Sequence, residues 1–268
     1  MPLLRVQDVD YHYQQRGQGS PLVLLHGFTG RVENWAHLLP VLAQQYETVA
    51  IDLLGHGRTT APANPDRYAM PRAAADLATL FQDLDLPTVK LWGYSMGGRL
   101  ALYLAVHYPE LVHSLVLESA SPGLKTEAGR AARREKDTDL ARRIEREGIA
   151  AFVDFWEQVP LFASQQSLPE TVRRRHRALR LQNRPEGLAN SLCGMGTGAQ
   201  PSLWPHLPDV HLPVRLVAGE RDEKFVQIGK EMATQLPQAT LHVVPGAGHA
   251  VHLERPEAML SIAQMPGT

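Results

Sequence analysis

Six short apolar runs constrain the fold of this chain more than any other feature. They are PLVLLH (21–26), TVAIDL (48–53), VKLWG (89–93), LVHSLVL (111–117), PVRLVA (213–218) and TLHVV (240–244). They are rich in Val, Ile and Leu and lack strict alternation, as expected of strands buried on both faces of a parallel sheet. Helical patterns at 35–44, 72–84, 98–107 and 225–235 lie between them. Strand and helix in repeated alternation, with short connections, imply the α/β class: a mostly parallel sheet with helices on both faces.

The rhythm stops between about 121 and 207, where strand-like runs vanish and helix formers dominate. The expected organisation is therefore a core built from 1–120 and 208–268, interrupted by a helical insertion at 121–207. Residues 121–190 hold 14 Lys and Arg against 10 Asp and Glu, in a chain with 27 and 28 overall, so the insertion is its basic part. A solvated helical surface would carry as many charges, and the excess alone does not define a binding site. The net charge of −1 gives no reason to expect nucleic acid as a partner. Cys193 is the single cysteine, which excludes an internal disulfide and suits a reducing compartment. Charges fall within the first ten residues and no apolar run approaches the length of a membrane helix. A cytoplasmic protein without signal peptide or membrane segment is the expectation.

Gly93-Tyr94-Ser95-Met96-Gly97 follows one predicted strand and leads directly into a helix. A tight strand-to-helix turn needs small residues around its apex. It lifts the serine hydroxyl above the sheet and sets it at a helix N-terminus. Ser95 is the candidate nucleophile or base, and it needs a histidine to take its proton. Of twelve histidines, His249 lies in Gly246-Ala247-Gly248-His249 after the last apolar run, at the sheet edge where catalytic groups collect. A metal pair of His249 and His252 lacks a Cys or carboxylate to complete a ligand set. His26 and His56, in glycine turns, are expected to hold loop geometry. The triad acid is Asp222, in Gly219-Glu220-Arg221-Asp222, with Glu118 at the end of the strand after the nucleophile helix as its competitor. The backbone amides of Met96 and of Phe28, in His26-Gly27-Phe28-Thr29-Gly30, would form an oxyanion hole.

Together these motifs resemble the α/β-hydrolase superfamily across the whole chain. LHGFTG, IDLLGHG, GYSMGGRLAL, ESASPGL, FWEQVPLFAS, RALRLQN, GERDEKF and PGAGHAVHLE resemble, more narrowly, the 2-succinyl-6-hydroxy-2,4-cyclohexadiene-1-carboxylate (SHCHC) synthases of menaquinone biosynthesis. That resemblance implies the α/β-hydrolase fold with 121–207 as a helical cap. It also implies a carbon–oxygen lyase that removes pyruvate from a small polycarboxylate substrate, with no metal or organic cofactor. Arg99, four residues after Ser95, lies on the same face of the nucleophile helix. Carried over by motif, the other substrate-binding residues are Tyr94, Arg133, Trp156 and Arg180. Arg173, Arg177 and Arg180 share one helical face, so the sequence leaves open which of them points inward. A serine carboxylesterase, a carbon–carbon bond hydrolase and a non-catalytic receptor on the same fold are the competing readings; the complete triad argues against the last.

Overall fold

A computed structural model describes residues 2–265 of the chain. Among the described residues, eight strands form one sheet: β1 (Leu3–Val6), β2 (Val9–Arg16), β3 (Ser20–Leu25), β4 (Tyr46–Ile51), β5 (Val89–Tyr94), β6 (Val112–Glu118), β7 (Val214–Gly219) and β8 (Ala239–Val244). Their order is β1-β2-β4-β3-β5-β6-β7-β8; β1 and β2 pair antiparallel, and β3 to β8 run parallel. In β3, Leu22 and Leu24 join one hydrophobic cluster while Val23 and Leu25 join the other, on the opposite face. Both sets are fully buried, which is why the run does not alternate in sequence.

The helices are α1 (Leu39–Leu42), α2 (Met70–Asp83), α3 (Met96–His107), α4 (Glu127–Trp156), α5 (Glu170–Arg180), α6 (Pro185–Met195), α7 (Glu223–Ala233), α8 (Val251–Glu254) and α9 (Pro256–Gln264). The helix expected over 35–44 divides into a 3-10 turn, Val32–Trp35, and the four-residue α1. Pro40 is the cause: its ring has no N–H to donate and would crowd the carbonyl one turn back, so it is accommodated in the first turn of a new helix. Between β6 and β7 the chain is helical, as the pattern implies, and α4 is broken at Gly148, where φ is 78°. This segment has its own apolar cluster, in which Ile144, Phe152 and Val153 of α4 pack with Leu188 and Ala189 of α6. Phe28, from the loop after β3, packs against both that cluster and the sheet-side core. Among the described residues, no helix is long and apolar enough to cross a membrane.

Candidate active site

Ser95 follows β5 directly and sits at the N-cap of α3 with φ 50° and ψ −107°, outside the regions ordinary L-residues occupy. Its amide donates to the Glu118 carbonyl at 2.8 Å, which pins the turn to the neighbouring strand. The flanking glycines are required by space. A Cβ at Gly93 would collide with the backbone of Gly97 and Gly98, and one at Gly97 with the carbonyls of Leu25 and His26.

Asp222 begins α7, three residues past β7, and its side chain caps that helix by accepting from the Phe225 amide at 3.4 Å. Its other oxygen, Oδ2, accepts from His249 Nδ1 at 2.6 Å. His249 Nε2 lies 3.0 Å from Ser95 Oγ. With Nδ1 donating to the carboxylate, Nε2 is left to accept the serine proton. The three side chains, from the carboxyl ends of three different parallel strands, thus form one continuous hydrogen-bond chain. Glu118 takes no part in it: its carboxylate accepts from Trp92 Nε1 at 3.1 Å and from His252 Nδ1 at 2.8 Å.

The loop that bears Phe28 is held from below by His26. The ring accepts from the Leu53 amide on Nε2 at 2.9 Å and donates from Nδ1 to the Gly27 carbonyl at 2.8 Å, which defines a neutral tautomer. Its neighbour His56 donates to the Leu54 carbonyl. Burial lowers the pKa of His26 and takes that of His56 down to about 3. Both rings must therefore gain protons on unfolding as the pH drops below the free-histidine value of about 6.5. The unfolded state then binds more protons, so stability is complete above that pH and declines on the way to about 3. The expected result is a falling denaturant midpoint between pH 6.5 and 5, above the range of most carboxylates, with a shallower fall in His56→Gln. A midpoint constant across that interval would contradict it.

Ser95, His249, Phe28 and Met96 line a cavity of about 400 Å³, together with Tyr94, Arg99, Arg133 and Trp156. Arg99 is almost fully buried, and Nη1 donates to two neutral acceptors, the Met195 carbonyl at 2.8 Å and Gln200 Oε1 at 2.7 Å. Burial, and then the nearby Arg133 charge, bring its pKa down to about 10. A buried cation whose hydrogen-bond acceptors are both neutral favours an anionic ligand that would neutralise it. Arg133 is bound to the buried Asp137 at 2.8 Å. The indole Nε1 of Trp156 is buried without a hydrogen-bond partner, and its ring meets Phe28 edge-on at 5.4 Å.

Arg180 is not brought into this cavity. It lines an adjoining recess of about 40 Å³, which shares Phe28, Tyr94 and Phe162 with the main one, and it pairs with Glu157 at 3.0 Å. Of the three arginines on that face of α5 it is the one turned inward. Arg177 engages Asp154 and Glu157 near the surface, and Arg173 holds the Leu168 carbonyl. Sequence reasoning missed Gln200, which orients Arg99 across 101 positions of chain, and Phe162, which meets His249 edge-on at 6.1 Å. Neither is marked by a local pattern. Lys125 and Lys224 also line the cavity, and Lys125 pairs with Glu231 of α7.

A mostly parallel sheet whose strand β5 ends in a sharp serine turn, with histidine and aspartate at later strand ends, defines an α/β-hydrolase. A family model described as alpha/beta hydrolase fold matches residues 20–256. A Bacillus subtilis (strain 168) protein provisionally named 2-succinyl-6-hydroxy-2,4-cyclohexadiene-1-carboxylate synthase is 52% identical over 235 residues, 88% of this chain and 85% of that one. The enzyme of that name from Enterobacter sp. (strain 638) is 35% identical, over 89% of this chain and 88% of its own. Among solved structures, MenH from S. aureus superposes with a TM-score of 0.90 at 34% identity, over 94% of this chain and 96% of that one. The chain belongs to the α/β-hydrolase family and, within it, to the SHCHC synthases.

Proposed function

We propose that the chain is a carbon–oxygen lyase. It eliminates pyruvate from 2-succinyl-5-enolpyruvyl-6-hydroxy-3-cyclohexene-1-carboxylate to give SHCHC, a step of menaquinone biosynthesis. The observation that carries this reading, beside the 52% identity to a synthase-type relative, is a serine–histidine–aspartate chain opening into a cavity with a buried, neutrally partnered arginine. An esterase of neutral substrates has no use for that cation. A substrate with three carboxylates does.

Ser95, giving its proton to His249, takes the proton from the ring carbon beside the succinyl ketone. Asp222 holds the imidazole tautomer and stabilises the imidazolium. The electron pair moves onto the ketone oxygen, where the Phe28 and Met96 amides hold the enolate. The enolate then collapses through the ring double bond and breaks the carbon–oxygen bond to the enolpyruvyl group. This group leaves as the pyruvate enolate and is protonated to pyruvate. An oxyanion hole treats an enolate much as it treats a tetrahedral intermediate, so the same machinery serves elimination. The chemistry needs no metal or organic cofactor.

Arg99 and Arg133 bind carboxylates within the cavity and Arg180 binds one from the adjoining recess, Trp156 supplies a donor through Nε1, and Tyr94, which lines both spaces, walls the site beside the serine. The core of 1–120 and 208–268 holds the triad, and the cap of 121–207 supplies all of these binding groups except Tyr94 and Arg99. Every group invoked comes from one chain, so a monomer is sufficient. The single cysteine fits a cytoplasmic setting.

The test is incubation of the purified chain with the pathway substrate while pyruvate is followed through a coupled dehydrogenase. Pyruvate release at enzyme-like rates is expected. Its absence, together with rapid turnover of a neutral nitrophenyl ester, would favour the carboxylesterase. Arg133→Ala and Arg180→Ala should each lower kcat/KM by about 10- to 150-fold, equivalent to losing a charged hydrogen bond of about 1.5–3 kcal/mol. Lys at either position should restore only part of the loss, because an ammonium lacks the planar fork. Wild-type kinetics in both Ala variants would show that these arginines serve the surface alone.

A further inference from the structure

The Glu118 side chain is fully buried at the carboxyl end of β6, between the strand that ends at Ser95 and the strand that leads to Asp222. Its backbone and side chain bind different parts of the site. The carbonyl accepts the Ser95 amide at 2.8 Å. Carboxylate Oε1 accepts from both the backbone amide and the Nδ1 of His252, at 2.9 and 2.8 Å, and Oε2 accepts from Trp92 Nε1 at 3.1 Å. His252 lies three residues beyond His249 on the same loop and short helix. Its ring also packs 4.7 Å from the Tyr94 ring, which in turn lies 5.4 Å from that of His249.

We propose that Glu118 is a positioning residue, which fixes the distance between Ser95 and His249 by gripping the serine turn with its carbonyl and the histidine loop with its carboxylate. Three features support this beyond mere packing. A buried carboxylate is costly to hold, and this one is offset by three N–H donors. Two of those donors belong to the residue that closes the histidine loop. The serine turn is itself strained, so it relies on neighbouring contacts to keep its conformation. A side-chain amide could serve His252 through its oxygen, but its nitrogen would then oppose the Trp92 N–H, donor against donor.

The proposal rests on Ser95 being the reactive serine and is independent of the native substrate. It is tested with a fluorophosphonate, which modifies an activated serine whatever reaction that serine performs. In Glu118→Gln the labelling rate should fall by at least about tenfold, since small misplacements of reacting groups cost that much or more. With the pathway substrate, kcat should fall similarly while KM stays within about twofold. The low-field proton resonance of the His249 Nδ1–H should shift or broaden, while circular dichroism remains that of the folded chain. Should Glu118→Gln not fold, His252→Leu removes the imidazole donor to Glu118, keeps the backbone amide donor and leaves an apolar side chain against Tyr94, and labelling should still slow by about threefold or more. Labelling as fast as wild type in a folded variant, or a loss confined to KM, would overturn the clamp. A wild-type chain that the reagent never labels would overturn the serine reading beneath it.

Discussion

Ser95→Ala and His249→Ala are each expected to lower kcat by roughly 10³–10⁴-fold, the range for loss of a positioned acid–base group and of a triad member. The reason lies in the hydrogen-bond chain. His249 bridges Asp222 at 2.6 Å and Ser95 at 3.0 Å, so deleting either end of the Ser–His pair breaks the relay that would carry the substrate proton. KM should change little, because the arginines proposed to bind the carboxylates are untouched. Asp222→Asn should be comparably damaging: its amide can present N–H to Nδ1, favouring the tautomer whose Nε2 no longer accepts the serine proton. Thermal unfolding should remain cooperative in all three, although Asp222→Asn also weakens the cap of α7. Near-complete activity in Ser95→Ala would refute the assignment. A mild Asp222→Asn beside a Glu118→Gln that instead behaved as the missing acid, with an altered His tautomer, would move the acid to β6.

The contrast between those two carboxylates shows what a sequence can reveal. Both follow apolar runs, and both lie where a triad acid can stand. What separates them is the partner each meets: Asp222 meets His249, and Glu118 meets His252, 134 positions away along the chain. Chain order favours Asp222, but no local pattern records the Glu118–His252 contact. The inner parallel strands were legible because burial on both faces leaves an unbroken apolar run, whereas the run TLHVV, expected to be buried likewise, forms the edge strand β8, of which only Val244 is buried. The antiparallel β1 and β2 were not, since Leu3–Val6 is mostly exposed and Val9–Arg16 ends in QQR, polar residues at the sheet margin. The helix expected over 35–44 failed at Pro40, a breaker visible in the sequence but outweighed by apolar spacing.

The proposed binding residues divide in the same way. Arg99 could be placed from the helical repeat alone, one turn beyond Ser95, and it reaches the cavity. Its two neutral acceptors could not be foreseen, because Met195 ends α6 and Gln200 lies in the loop beyond it, 96 and 101 positions along the chain. Arg173, Arg177 and Arg180 share a stripe, and of the three it is Arg180 that meets Phe162, 5.3 Å from its ring centre, a contact set by the tertiary fold. Periodicity gives the face of a helix. It does not give what that face meets.

Turnover in heavy-oxygen water, with the pyruvate reduced at once to lactate, is expected to leave the lactate hydroxyl free of enzymatically introduced label. The expectation follows from where the bonds break. In the elimination, the ring carbon–oxygen bond breaks and the ether oxygen leaves with the enolpyruvyl group, becoming the ketone oxygen of pyruvate. Hydrolysis by attack of water on the vinyl ether would instead leave that oxygen on the ring and put a solvent oxygen on the ketone carbon. The two routes therefore differ by a full atom of label at the ketone carbon. Rapid reduction is needed because the free ketone exchanges its oxygen with water. Deuterium on the ring carbon beside the succinyl ketone adds a second arm: it should slow the chemical step wherever proton abstraction limits turnover, since that carbon–hydrogen bond is the first to break. The structure supplies the reason to expect this order. Ser95 Oγ is 3.0 Å from the nitrogen that receives its proton and lines the same cavity as Arg99, where a polycarboxylate would be held with its acidic carbon towards the serine. As a base, the serine never bonds to carbon. Prompt stoichiometric label in the trapped lactate, or an acyl-enzyme captured on Ser95 during native turnover, would therefore rule out elimination and make the chain a hydrolase.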